Sequence, residues 1–244
     1  MRLDRPLLAT GRRVIDRFPA LLLAVYRLRY RNSGFSRRIV GPDTAVLIEG
    51  FPRSGNSFAN RAFQHANPEL SERIATHMHL SAHVVEAASA NVPAIVPIRH
   101  PEDCIPSLFA LRRSVDSSAD IPPNLDTWLR DYIAFAERVL TVADQVLLVP
   151  FEQLTADYGQ VIDRLNRDFG TSFARFDHTK QNVSDVFSTS GSHLSPNDSR
   201  QNDKATGIEL YSKSSQKLRR RAERSHAALL GFVPEDLGGQ HVTG

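Results

Sequence analysis

Thr44-Ala-Val-Leu-Ile-Glu-Gly-Phe-Pro-Arg-Ser-Gly-Asn-Ser-Phe58 is the stretch that decides the fold. Ala45 to Ile48 is a short apolar, β-branched run, and Gly50 and Pro52 break it. Arg53 to Ser57 is small and polar. Phe58, Ala59, Ala62, Phe63 and Ala66 then return at helical spacing. Strand, tight glycine loop and helix together aim backbone N–H groups and a helix N-terminus at an anion. Gly50 and Gly55 have the spacing of a Walker A loop, with Ser57 at its hydroxyl position. The position that takes Lys in nucleoside-triphosphate loops is Asn56, and the one cation of the loop is Arg53. The loop therefore suits a phosphate-like group more than a triphosphate. An ordinary βα turn is the bland alternative.

Working outward, residues 73–79 read as a second strand, 81–90 as a helix and 93–98 as a buried strand. Pro101 suits the start of the next helix. Residues 128–142 form a long helix, 145–150 a strand, and 158–169 a helix stopped by Gly170. Residues 178–207 are polar and read as irregular, a lid or a disordered segment. A last helix is expected over 208–230, its basic run Lys217 to Arg221 forming a solvated face. Alternating strands and helices give an α/β class with a central, mainly parallel sheet flanked by helices.

A chain of 244 residues with 41% hydrophobic residues fits one such domain. Cys104 is the single cysteine, which excludes an internal disulfide and suits a reducing, cytoplasmic setting. No apolar run is long enough to span a membrane, and the start does not read as a signal peptide. Net charge is +3, yet residues 1–40 hold ten Arg against two Asp, so the rest carries a deficit of five. Residues 1–40 are thus read as a basic amphipathic arm and 41–244 as the catalytic domain. Val14, Phe18, Leu21, Leu22, Val25 and Leu28 make the arm's apolar stripe, with Pro19 a candidate helix start. Two readings of the arm stand: a helix packed on the domain, or peripheral contact with a membrane surface. Nucleic acid is not an expected partner, since no reader motif is present.

Pro52-Arg53-Ser54-Gly55-Asn56-Ser57-Phe58 resembles the loop of sulfotransferases that use 3′-phosphoadenosine 5′-phosphosulfate (PAPS), roughly P-[KR]-S-G-[TS]-[TS]-[WF]. Arg99-His-Pro101-Glu-Asp103-Cys-Ile-Pro-Ser107 resembles their second motif, R-[DN]-P-x-D-x-x-x-S, with His100 a departure. Phe151-Glu152-Gln153-Leu154 is similar to their Y-E-D-L strand end, without the tyrosine hydroxyl. The resemblance spans about residues 44–170. It implies a P-loop-like sulfotransferase fold and transfer of a sulfuryl group from PAPS, leaving adenosine 3′,5′-bisphosphate, without a metal. The acceptor would be a hydroxyl or amine of a small molecule, glycan or lipid. In the family Arg99 and Ser107 would hold the 3′-phosphate, Phe151 would lie by adenine, and Arg53, Ser54, Gly55, Asn56, Ser57 and Phe58 would line the donor. Thr76-His77 matches the family's Lys-Thr-His, with Ala75 in place of Lys, so His77 is the candidate general base and His79 its rival on the same strand face. The family's C-terminal Arg-Lys-Gly clamp is not visible, and Arg200 or Lys204 would substitute for it. Two alternatives remain: a P-loop nucleotide kinase, which Asn56 disfavours, and a metal-dependent hydrolase using His77, His79 and His83.

Overall fold

The computed structural model describes residues 19–31, 33–116, 121–188 and 198–238, except for the side chains of 19–22 and 198–200. Four parallel strands form the centre: β1 (Val46–Ile48), β2 (Ile74–Thr76), β3 (Ala94–Ile98) and β4 (Leu147–Pro150), in the order β2-β1-β3-β4. Val46, Leu47 and Ile48 are all buried, with a partner strand on each side. That is why β1 reads as a continuous apolar run and not as an alternation.

Ten helices surround the sheet among the described residues: α1 (Pro19–Tyr30), α2 (Asn56–Ala66), α3 (Ser81–Ser89), α4 (Pro101–Val115), α5 (Asp126–Val139), α6 (Phe151–Ala156), α7 (Tyr158–Phe169), α8 (Lys180–Ser188), α9 (Asp198–Ser212) and α10 (Gln216–Leu230). From β1 the chain moves to one side, to β2. It then crosses back to β3 on the other side of β1 and continues outward to β4. The strand order therefore reverses between β1 and β3. In parallel α/β sheets, ligands bind beyond the carboxyl ends of the strands at that point. The loop after β1 and the first residues after β3 flank it.

Three expectations need correction. Strand β2 ends at Thr76, three residues short of the expected 79, and His77 and His79 have φ of 59° and 52°. They do not share a strand face. The chain curls here because the N–H groups of Met78 and His79 turn inward to the Glu49 carboxylate, at 2.8 and 3.0 Å. Next, the polar segment 178–207 holds all of α8 and much of α9, with 189–197 outside the described residues. Hydrophobic periodicity misses these helices for a physical reason. Val186 is the buried residue of α8. α9 meets α4 through Gly207, where a Cβ would stand 3.0 Å from the Pro106 backbone. Close backbone approach of this kind leaves no apolar stripe in the sequence. Finally, the helix expected over 208–230 is two helices. Ser214 Oγ accepts from the Leu125 N–H at 2.9 Å, and Asp126 accepts from the Ser215 N–H at 2.8 Å, so the break is pinned to the start of α5.

The arm's helix α1 lies on the domain through a face the stripe did not include. Leu23 is fully buried with Ile39, Met78, Leu80 and Ala82, and Tyr26 packs beside them. Arg27 donates to the Val40 carbonyl at 2.6 Å and pairs with Glu86. Val25 and Leu28 face solvent, and residues 1–18, with Val14 and Phe18, lie outside the described residues.

Gly50 fixes the loop to β3, since a Cβ there would stand 2.4 Å from the Pro97 carbonyl oxygen. Replacing Gly50 with Ala should therefore cost about 1–3 kcal/mol of stability, the usual range for overpacking. Urea unfolding measures it, and a change within 0.5 kcal/mol, roughly that of a neutral surface substitution, would contradict the close approach.

Candidate active site

The loop between β1 and α2 is held from within. Asn56, 3% exposed, donates from its side-chain amide to the carbonyls of Gly50 (3.2 Å) and Phe51 (3.0 Å). The residue at the Lys position of a triphosphate loop is thus an internal strut. Gly55 enters α2 in the left-handed region at φ 99°, and no side chain caps the helix. The first-turn N–H groups of a helix have no intrahelical acceptor, so this end presents donors and a partial positive charge. Ser54 does not add its N–H to them, because that group donates to the Phe51 carbonyl at 3.2 Å. Its buried hydroxyl has no protein partner.

Two arginines and a serine converge on this end. Arg53 Nε donates to Ser107 Oγ at 3.0 Å, joining the loop to the second turn of α4. Arg99, just past β3, donates from Nη1 to the Arg53 carbonyl at 3.1 Å. Its guanidinium lies 3.9 Å from the centre of the Phe151 ring. Phe151 is therefore a platform that orients Arg99. Tyr132 donates to the Arg99 carbonyl at 2.9 Å. Arg99 Nε is buried without a hydrogen-bond partner. Buried donors of this kind carry a desolvation cost until an acceptor arrives, and a fixed fork suits a phosphate. His100 caps α4 by accepting from the Glu102 N–H at 3.4 Å.

The histidines sit on the other side of the loop. Thr76 Oγ1 donates to the Ile48 carbonyl at 2.8 Å, so its contact with His77 Nδ1 at 2.9 Å is one it accepts. The Nδ1–H tautomer follows. His77 Nε2 then carries the lone pair and accepts from Ser57 Oγ at 3.2 Å, at the first turn of α2. Burial, then the charge of His79, push the His77 pKa down to about 4; Arg38 and Arg61 push the same way and Glu49 opposes them. The ring is neutral at pH 7. His79 approaches it edge to face at 5.9 Å between ring centres. His79 Nδ1 lies 3.0 Å from the Gly50 carbonyl and 3.4 Å from Glu49. His83 is fully buried: its Nε2 accepts from the Val40 N–H at 2.8 Å and its Nδ1 meets Glu49 at 3.1 Å. With both nitrogens engaged it has no lone pair for a metal, which removes the third ligand of the hydrolase reading.

The structure thus brings together Arg53, Asn56, Ser57, His77, His79, Arg99 and Ser107. Phe58 is 5% exposed in an aromatic cluster with Tyr158, Phe176, His178 and Phe187. Lys204 lies on α9, which runs antiparallel to α4: Gly207 meets Pro106, while Asp203 reaches toward Arg113 at 4.0 Å. Lys204 is therefore farther along α4 than Ser107. The side chain of Arg200 is outside those described. The residue that sequence reading missed is Glu49, fully buried at the end of β1. Its one sequence signal is a carboxylate closing an otherwise apolar strand.

No family model matches the chain, and no curated protein does. Among solved structures the chain is similar to mouse sulfotransferase SULT7A1 complexed with PAP, at 12% identity over 80% of this chain and 85% of that one, with a TM-score of 0.43. A likeness that loose carries no argument about function, so the site's own geometry has to carry it.

Burial holds the pKa of His77 and, with His100, that of His226 near 4, against an unfolded value of 6.5. Below pH 6.5 the unfolded chain binds protons that the folded chain refuses until about pH 4, so stability falls as pH drops through that window. Glu49, whose pKa is lowered, adds to the loss only at lower pH. His77 alone accounts for up to roughly 3 kcal/mol. Melts from pH 7 to pH 4.5 should fall steeply in wild type and less so in His77→Gln, and equal slopes would contradict the assignment.

Proposed function

We propose that the protein is a sulfotransferase that takes a sulfuryl group from PAPS and passes it to a hydroxyl or amine acceptor. The observation that carries this reading is the 3.2 Å contact between His77 Nε2 and Ser57 Oγ. It puts a neutral imidazole of fixed tautomer against the anion-binding end of α2. A phosphate loop alone fits many ligands. A base at its mouth, with two arginines and no lysine, fits transfer to an incoming hydroxyl.

The residues fit the donor. Arg99 and Ser107 suit the 3′-phosphate, and the unpartnered Arg99 Nε is a donor in want of an acceptor. When bound, PAPS supplies a sulfuryl group attached to a good phosphate leaving group. His77 Nε2 removes the acceptor's proton as the acceptor oxygen approaches the sulfur. Arg53 and the N–H groups of Gly55, Asn56 and Ser57 stabilise the negative charge that grows on the departing phosphate oxygen. Arg53 does so by charge alone, since guanidinium does not give up a proton near neutral pH. Asn56, tied to two carbonyls, leaves the kinase reading without its phosphate-binding cation.

Adenosine 3′,5′-bisphosphate at a hundredfold excess over its dissociation constant should stabilise the protein by about 2.7 kcal/mol, and ATP with magnesium should do less. A melt shifted by ATP with magnesium and not by the bisphosphate would favour the kinase. In turnover, His77→Ala should lose about 10²–10⁴ in rate with donor affinity nearly kept. His79→Ala should be milder and act through the acceptor's KM, and the reverse ranking would exchange the two roles.

A further inference from the structure

Glu49 has no place in the mechanism above, yet it is the most heavily bonded carboxylate near the site. It is fully buried at the end of β1, one residue before the phosphate loop. Its Oε2 accepts from the Met78 N–H at 2.8 Å and meets His83 Nδ1 at 3.1 Å. Its Oε1 accepts from the His79 N–H at 3.0 Å and lies 3.4 Å from His79 Nδ1. His79 Nδ1 is also 3.0 Å from the carbonyl of Gly50, the first residue of the loop. His83 in turn accepts from the Val40 N–H, so the carboxylate joins three segments: the strand before the loop, the turn 77–79 and the chain entering the domain.

A buried carboxylate is costly unless its oxygens are filled. Here backbone and imidazole donors fill them, and burial, which pushes the carboxyl up, is outweighed by His83, His79 and the Met78 N–H. The two positive φ values at His77 and His79 are the backbone counterpart of this arrangement. Left-handed φ at a non-glycine residue is strained and persists only where surrounding bonds demand it. The demand comes from Glu49.

We infer that Glu49 is a positioning residue: it fixes the 77–79 turn and the His79 ring against the phosphate loop, so that both histidines face the anion site in a set tautomer. This rests on the transferase reading of that site. Glu49 touches neither donor nor acceptor. It supplies the negative charge behind the histidines that favours the proton arriving at His77 Nε2, and it makes loop and turn one rigid unit. No side chain other than a carboxylate serves both backbone donors and both rings at once, because an amide has a single acceptor oxygen.

The test uses the full chain labelled with ¹⁵N-histidine, observed by long-range ¹H–¹⁵N spectra from pH 7.5 down to about pH 3, below the His77 pKa of about 4, with and without adenosine 3′,5′-bisphosphate. Wild type should show His77 and His79 as Nδ1–H tautomers. Glu49→Gln should turn the His79 signal into a tautomer mixture and move the His77 titration lower. The bisphosphate dissociation constant should change by less than about threefold, since the donor contacts are elsewhere. Glu49→Asp, which keeps the charge, should restore the His77 titration in part. Histidine signals and titrations in Glu49→Gln that match wild type overturn the inference. Should Glu49→Gln fail to fold, the wild-type spectrum decides, and His79 protonated at Nε2 and bare at Nδ1 overturns it. Failure of wild type to bind the bisphosphate is a separate result that overturns the transferase reading and leaves the histidine spectra to judge Glu49.

Discussion

The close approach of Gly50 to the Pro97 carbonyl is the constraint on which the site depends. It lets the loop after β1 lie against the neighbouring strand β3 without a side chain between them. Arg53 then reaches Ser107 on α4, and Arg99 reaches the Arg53 carbonyl. Without that contact the two cationic segments would belong to separate loops. Because β1 and β3 are adjacent only through the crossover from β2, the site is a product of sheet topology as much as of the glycine loop.

Electrostatics divides the site in two. On the α4 side, two guanidinium groups and a hydroxyl gather, Arg53 on Ser107 and Arg99 on the Arg53 carbonyl. Phe151 supports Arg99 through its face, which holds the cation without neutralising it. On the β2 side, a buried carboxylate and three imidazoles form a network in which every ring is oriented by a protein partner. Burial keeps His77 neutral and able to take a proton, while its lone pair is turned to the loop. One half suits a bound anion and the other suits proton removal beside it.

Much of this was legible in the sequence. The apolar run before Gly50, the breakers after it and the alternation of elements are enough for a parallel α/β sheet with a glycine loop after its first strand. Arg99 and Ser107 were named through the resemblance of residues 99–107 to the second sulfotransferase motif, which sets arginine, proline and serine around a strand end and a helix start. The bend at His77 was not legible, because it is imposed by Glu49 across the strand pair, and a residue's φ at such a point is set by tertiary bonds and not by local propensity. Nor was the part of α9 before Ile208, where Gly207 lies against the Pro106 backbone and hydrophobic periodicity had nothing to detect. The contact of Phe151 with Arg99 was not legible for a related reason: an aromatic ring has two faces, and the sequence does not say which neighbour takes one of them.

A structure of the complex with adenosine 3′,5′-bisphosphate tests the central claim most directly. The account predicts the 5′-phosphate within hydrogen-bond distance of the Gly55 to Ser57 N–H groups, with Ser57 and His77 Nε2 beside it, and the 3′-phosphate on Arg99 and Ser107. A nucleotide bound elsewhere, or one whose phosphates leave the Arg53–Ser107 contact and the buried Arg99 donor untouched, would contradict it.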